Sequence, residues 1–300
     1  MNQKEQVQYQ YSQSLKSDFS DELINTYVLR PIAGLFVRIL YPTSVTPNQV
    51  TIAAIVVGAC AALFYAIGDR FSTILAGILV TLKDLLDSAD GQLARAKNLY
   101  SRRGRFIDSI GDFVVDVLIF GAISFALSRA EASPHMVFLG IVGLLGITLR
   151  VSYHVFYHVS YLHLDDLYQT NRLIEEIRQE DRKGDRVALQ LQQIFLLIYS
   201  WQDRLMFRLD EWSKTLLMGS TNVDRQELDR LWYSDGISLR LSGFLGFGTE
   251  LALLTVCSLF NNLDLYLWLN LFLMNSIWIL TVLYRKLILA PTLLKASPTK

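Results

Sequence analysis

"LLDSADGQLARAKNLYSRRGRFIDSIGDFVVD", residues Leu85 to Asp116, bridges two apolar runs and sets carboxylates just inside both of them. Asp84, Asp87 and Asp90 close the first run; Asp108, Asp112 and Asp116 open the second. On a helix, Asp87, Asp90 and Ala94 lie three or four residues apart and share a face, with Arg95 adjoining it. Gly104, Asp108 and Asp112 repeat at intervals of four and form a second face. The segment from Ala96 to Arg103 is a short turn, so the two helices are expected to pack antiparallel with these faces opposed. Four carboxylates then converge on one small volume. Each costs about 2.5–3.5 kcal/mol at a membrane-helix centre, and together they repel. Such a cluster requires cations.

The rest of the chain makes the membrane setting explicit. Of 300 residues, 52% are hydrophobic and 19% charged, against about 45–50% and about 25% in average globular chains. Mean hydropathy is +0.30. Lys plus Arg equals Asp plus Glu at 28 each, so charge gives no pointer to a nucleic acid, and none is expected as a partner. Cys60 and Cys257 sit in separate apolar runs and read as small core residues, with no disulfide framework or CxxC pattern. The polar start, "MNQKEQVQYQYSQSLKSDFSDEL", lacks the features of a signal peptide.

A membrane helix needs roughly 17–25 mostly apolar residues. Six stretches qualify: Val50–Ile67, Phe71–Ala94, Gly104–Leu127, His135–His158, Leu239–Phe260 and Leu265–Leu289. The second and third do so only if their inner ends are allowed to be polar. Before them, Leu29, Ile32, Leu35, Phe36 and Leu40 recur at helical spacing, with Arg30 and Arg38 elsewhere on the surface. That predicts an amphipathic helix on the membrane with its arginines near head groups, a soluble-domain helix being the alternative. Between spans four and five, "RLIEEIRQEDRKGDR" and "LQQIFLLIYSWQDRLMFRLDEW" are too short or too charged to cross. They predict cytoplasmic or interfacial helices, with a hairpin turning near Gly184. A solvated insertion is preferred there to a substrate-shaping lid.

The expected fold is therefore all-α, a six-span transmembrane bundle. Residues 1–45 hold the polar start and the amphipathic helix, 46–163 spans one to four with the site, 164–236 the insertion, and 237–300 spans five and six with the tail. Arg95, Lys97, Arg102, Arg103 and Arg105 crowd the second loop, and Arg285, Lys286, Lys295 and Lys300 mark the tail. By the positive-inside rule both termini and the aspartate face are expected in the cytoplasm.

The ligand candidates Asp87, Asp90, Asp108 and Asp112 offer only carboxylate oxygen. That favours hard, octahedral Mg²⁺ or Mn²⁺ over Zn²⁺. Four such groups suit two ions, as in phosphoryl chemistry. Gly91 and Gly104 leave room for a substrate to approach the backbone, and Arg95 supplies a fork for phosphate oxygens. Pairing of the aspartates with Arg95, Arg102, Arg103 and Arg105 at the membrane edge is the bland alternative. It does not require the four-residue period on both helices. Asp84 and Asp116 extend the faces by a turn and read as supporting or solvated groups.

Asp87-x-x-Asp90-Gly91-x-x-Ala94-Arg95, eight further residues, then Gly104-x-x-x-Asp108-x-x-x-Asp112 resembles the signature of the CDP-alcohol phosphotransferase family. The resemblance extends to the six spans, the amphipathic helix and "TPNQVT" (Thr46–Thr51), and stops short of Leu164–Asp235. It implies transfer of a substituted phosphate from a CDP-linked donor to an alcohol, with release of CMP. Asp87, Asp90, Asp108 and Asp112 would hold two ions against the donor pyrophosphate, and Asp112 would act as general base. Asn48, Thr51, Gly91, Ala94, Arg95 and Gly104 would form the CDP pocket, although "TPN" is equally a helix cap. A homodimer is implied too, and "GIVGLLG" (Gly140–Gly146) offers a small-residue face for close contact.

A phosphorylated acceptor would need further basic groups, for which Arg105 and Arg150 are the candidates. Snorkelling stays open for Arg150, and Glu250 in span five is similarly ambiguous. "GRFIDSIGD" resembles the phosphatidyl- and inositol-phosphate-transferring branch more than choline or ethanolamine enzymes. The expected donor is CDP-diacylglycerol, in phospholipid synthesis, with CDP-choline, CDP-ethanolamine or a CDP-polyol as alternatives. A cation transporter is the non-enzymatic alternative; it predicts acids continuing across several spans, whereas "FSTILAGILVTL" carries none.

Overall fold

Helix α1 (Arg30–Leu40), led in by a π-helical turn over Asn25–Leu29, turns Ala33, Gly34 and Val37 inward against Val50, Ala89 and Leu93. Its outer side exposes Ile32, Leu35, Phe36 and Ile39, a face that suits lipid. Arg30 differs from expectation. Its side chain is buried, and its carbonyl accepts the Gln92 amide at 3.0 Å. Small residues on the inward face let α1 closely approach the helix that carries Ala89, Gln92 and Leu93, and that approach covers Arg30.

Thr46 starts helix α2 (Pro47–Ile67) with a capping box, its N–H donating to Gln49 Oε1 at 2.9 Å. Gly68, at φ +81°, ends it in left-handed backbone. Asp69 then caps α3 (Arg70–Lys97) by accepting the Ser72 N–H at 3.1 Å. Asn98, at φ 55°, ends α3, and α4 (Arg102–Glu131) returns antiparallel after a short turn. Helix α5 (His135–Leu162) follows. The insertion forms α6 (Gln179–Lys183), α7 (Arg186–Ser213), α8 (Thr215–Met218) and α9 (Arg225–Tyr233), with Gly184 at the expected turn. After these come α10 (Gly236–Gly243), α11 (Phe247–Leu259), α12 (Leu263–Trp268), α13 (Asn275–Tyr284) and α14 (Ala290–Ala296). Short π-helical stretches at Leu269–Met274 and Arg285–Leu289 join the last three.

The computed structural model describes residues 22–131, 133–164, 175–218 and 225–296, and among these every regular element is helical. The polar N-terminus to residue 21, the start of the insertion at 165–174, and Lys300 of the tail lie outside the described residues. Among the described residues, five stretches are long and apolar enough to cross a membrane: Pro47–Ile67, Arg102–Ala130, His135–Leu162, Gly236–Leu259 and Leu263–Lys295. The chain is a multi-pass membrane protein. Helix α3 falls outside that set because Lys83, Asp84, Asp87 and Asp90 interrupt its apolar run.

Two further expectations are corrected. Span five is not one helix: it breaks over Phe244–Gly246, where the Glu22 carboxylate sits against Gly246 and accepts the Gly248 N–H at 2.6 Å. Side chains at those glycines would collide with it. The Gly140–Gly146 face, in turn, is used inside the protomer. A Cβ at Gly140 would strike Ser124, one at Gly143 the Phe120 ring, and one at Gly146 Arg150. All three glycines are buried within the protomer. The main core gathers Ala61, Tyr65, Val80, Val115, Ile123 and Leu254 where α2, α3, α4 and α11 meet.

The insertion is packed on the bundle instead of standing in solvent. Phe195 of α7 meets Phe106 of α4 at 5.4 Å between ring centroids. The Tyr199 hydroxyl donates to Ser109 O at 2.6 Å, and Ser152 donates to Gln202 Oε1 at 2.5 Å. Farther along, Asp210 accepts from Tyr157, Trp232 and Tyr233, each at 2.8 Å.

Candidate metal centre

Contrary to expectation, helices α3 and α4 do not pack directly on each other; both pack on α2, and their aspartate side chains still meet because they reach toward one another beside it. Asp87, Asp90 and Asp108 each present a carboxylate oxygen, all three atoms lying within 4.8 Å of one another. The Oδ1 atom of Asp108 is buried with no hydrogen-bond donor. Such an orphaned acceptor, in a set made only of carboxylates, fits a hard divalent cation. Thr51, one turn into α2, donates its hydroxyl to Asp90 Oδ2 and also reaches Pro47 O at 3.2 Å. That contact fixes which way the Asp90 carboxylate faces.

The fourth aspartate is held differently. Lys83 Nζ donates to Asp112 Oδ1, and the two side chains are only 5% and 14% exposed. Lys83 lies one turn before Asp87 on α3, so the same period that aligns the acids brings this cation between the helices. The sequence signal for it was a lone lysine inside "ILVTLKDLL". Asp84, next to Lys83 in the chain, and Asp116, one turn after Asp112, are buried as well.

Of the expected CDP-pocket residues, Thr51 touches Asp90 and Asn48 lies against Gly104, where an added Cβ would collide with Asn48 Oδ1, so this glycine makes room for the Asn48 side chain. At Gly91 a Cβ would meet nothing closer than Arg95 Nη1 at 3.5 Å, an ordinary contact. The protein's own packing thus leaves that face of α3 open beneath the Arg95 guanidinium.

Glu22 is a second group that sequence reasoning missed. Its carboxylate closes the break before α11, 3.9 Å from His154 Nε2. Burial, and then the neighbouring Asp84 carboxylate, push the Glu22 carboxyl up to about 8. Tyr199 brings the insertion to the same region: burial, and then Asp112 and Asp116 on α4, push its phenol up.

Arg105 and Arg150 have defined partners. Arg105 Nη2 meets Glu175 Oε2 at 2.5 Å, with its guanidinium 4.8 Å from the Phe106 ring centroid. Arg150 Nη2 meets Glu250 Oε2 at 2.9 Å, both side chains 1% exposed. Its Nη1 donates to Asn275 Oδ1 at 2.6 Å and to Asn270 O at 3.2 Å, a carbonyl in a π-helical stretch. Tyr266 donates to Glu250 Oε1 at 3.1 Å, and Asn270 donates to the same oxygen.

Comparison with known proteins agrees with this geometry. The family model described as CDP-alcohol phosphatidyltransferase matches residues 44–212, more than half of the chain and well into α7. The match thus extends past Leu164, where the motif resemblance stopped, into the Leu164–Asp235 segment. A bifunctional IPC transferase and DIPP synthase of Archaeoglobus fulgidus is 36% identical over 98 residues, covering 33% of this chain and 19% of that protein. An archaetidylinositol phosphate synthase of Pyrococcus horikoshii is 33% identical over 107 residues, covering 35% and 53%. A phosphatidylinositol phosphate synthase of Streptomyces avermitilis is 35% identical over 119 residues, covering 39% and 44%. The chain thus spans about a fifth of the bifunctional protein and about half of the two shorter ones.

Proposed function

The chain belongs to the CDP-alcohol phosphatidyltransferase family, and from that premise we propose that it moves a phosphatidyl group from CDP-diacylglycerol to a small alcohol. CMP is the other product, and the setting is phospholipid synthesis. The observation that carries this reading is the meeting of Asp87, Asp90 and Asp108 beside the open Gly91–Arg95 face. A carboxylate cluster alone fits an ion path as well; one flanked by an uncovered backbone and a guanidinium fork fits a pyrophosphate. The two shorter relatives carry inositol phosphate in their names, which supports testing polyols, with and without a phosphate, as acceptors.

In this proposal Arg95 and the Gly91 backbone receive the CDP moiety, with Asn48, Thr51, Ala94 and Gly104 shaping the pocket. Two divalent cations, Mg²⁺ or Mn²⁺, held by Asp87, Asp90, Asp108 and Asp112, would neutralise developing charge on the pyrophosphate. Thr51 keeps Asp90 oriented. Lys83 fixes Asp112 through Oδ1, and Asp112 takes the proton of the acceptor hydroxyl. The acceptor oxygen bonds to the phosphorus carrying diacylglycerol as the bond from that phosphorus to CMP breaks. Helix α3, 28 residues long and about 42 Å at 1.5 Å per residue, serves as the sixth span. The aspartate face and both termini are cytoplasmic, α1 lies at the interface, and any homodimer uses a face other than Gly140–Gly146.

The test is CMP release from CDP-diacylglycerol by the purified protein in detergent, across a panel of alcohols. EDTA is expected to bring release to background, and Mg²⁺ or Mn²⁺ to restore it; release that persists in EDTA would sink the proposal. The two glycines give a finer check. Gly91→Ala is expected to keep its thermal stability, since the methyl has room and alanine favours the helix by up to about 1 kcal/mol, while the donor KM rises at least about tenfold. Gly104→Ala is expected to lose about 1–3 kcal/mol of stability by overpacking against Asn48. Equal effects in both assays would contradict the distinct roles assigned to the two positions.

A further inference from the structure

We infer that the acceptor is an alcohol carrying no phosphate of its own. This rests on the proposed transferase reading and concerns what stands around the centre. A phosphorylated acceptor brings a second anion to a site already lined by aspartates, and needs cations to receive it. The arginines at the entrance to α4 are the nearest in sequence. Each is engaged by a carboxylate of the insertion. Arg102 meets Asp181 at 2.5 Å and Glu175 at 3.5 Å, Arg103 meets Asp185, and Arg105 meets Glu175 at 2.5 Å. Deeper in, Arg150 is engaged by Glu250, and Lys83 by Asp112.

These are not loose surface pairs on the acid side. The Glu175 and Asp181 side chains are 5% and 3% exposed. Gln192 Nε2 bridges them, donating to Glu175 Oε1 at 2.7 Å and Asp181 Oδ2 at 3.2 Å. A phosphate that drew Arg105 or Arg102 away would strand a buried carboxylate without its cation, which is far costlier than breaking an exposed pair. At the exposed end, the Arg103 guanidinium holds the Asp185 carboxyl below its usual range. The insertion therefore supplies internally the negative charge that an acceptor phosphate would bring. Arg105 and Arg150 become positioning residues, and the space beside Asp112 is left to a neutral hydroxyl compound.

The experiment uses the full chain, purified in detergent with Mg²⁺ and CDP-diacylglycerol. CMP release is compared for matched acceptors, glycerol with glycerol 3-phosphate and inositol with inositol phosphate. The phosphate-free member is expected to have at least tenfold higher kcat/KM. Preference for the phosphorylated member would overturn the inference and leave the transferase reading standing. Glu175→Gln, which removes the carboxylate facing Arg105 while Arg102 keeps Asp181, is expected to raise kcat/KM for the phosphorylated members at least threefold; no gain would count against the inference. Should no acceptor support CMP release, the transferase reading fails, and binding then decides only the narrower statement that Arg105 receives no phosphate. Thermal stabilisation of the wild type by inorganic phosphate or glycerol 3-phosphate that Arg105→Gln removes would overturn it. Absence of any Arg105-dependent stabilisation would uphold it.

Discussion

Asp112→Asn is expected to lower CMP release at least about 10³-fold, combining loss of the general base, worth about 10²–10⁴, with loss of a charged ligand. The same substitution weakens the protein, because Lys83 is left buried opposite a neutral amide. Removing one partner of a buried ion pair costs about 3–5 kcal/mol when nothing replaces it; here the asparagine oxygen still accepts a hydrogen bond, so the loss falls at the lower end. A second substitution separates the two effects. Lys83→Met with Asp112→Asn removes both charges, and its melting temperature is expected to recover toward the wild-type value while its rate does not. Recovery of the rate in the double variant would show that Asp112 matters only as the partner of Lys83.

Arg150→Met is expected to cost about 3–5 kcal/mol of stability, the largest single loss foreseen in the bundle. It leaves Glu250 buried among Tyr266 and Asn270 with no positive charge. The measurement is unfolding of the detergent-solubilised protein, by heat or denaturant, alongside Glu250→Leu and the pair together. Arg150→Met/Glu250→Leu is expected to come within about 1–2 kcal/mol of wild type, since apolar replacement of a whole buried pair is often neutral. If Arg150→Met instead folded normally and raised only the acceptor KM, Arg150 would be a substrate group and its pairing with Glu250 incidental.

Much of the centre was legible because helices convert spacing into direction. Asp87, Asp90 and Asp108 follow intervals of three and four, so a one-dimensional pattern was enough to bring three of the four carboxylates together, whereas the pairing of Asp112 with Lys83 and the packing of both helices on α2 carry no such signal. The capping box at Thr46 was readable for the same local reason. Lys83 was harder. Its spacing from Asp87 places it on the face, but its partner lies 29 residues away on another helix, and a lysine beside Asp84 resembles any membrane-edge charge. The break in span five was hidden because "GFLGFG" looks like apolar filler until Glu22, 226 residues from Gly248, is seen to occupy it. Arg150, Asn270 and Glu250 sit on three separate apolar runs, where hydropathy averages their polarity away. The packing of α7 on α4 depends on aromatic rings whose partners no period announces.

The seating of Glu22 before α11 bears on how the protein is made. The ribosome delivers Glu22 first and Gly248 226 residues later, roughly 11–45 seconds apart at about 5–20 residues per second. During that interval the early membrane helices emerge while the backbone that will receive the carboxylate does not yet exist. Until then the Glu22 carboxylate lacks the Gly248 N–H that it accepts in the folded protein. Closure of the wall beside Asp84 and Asp87 thus belongs to the last stage of biogenesis, so a chain stalled before its fifth span would have its aspartates in place without the final piece that encloses them.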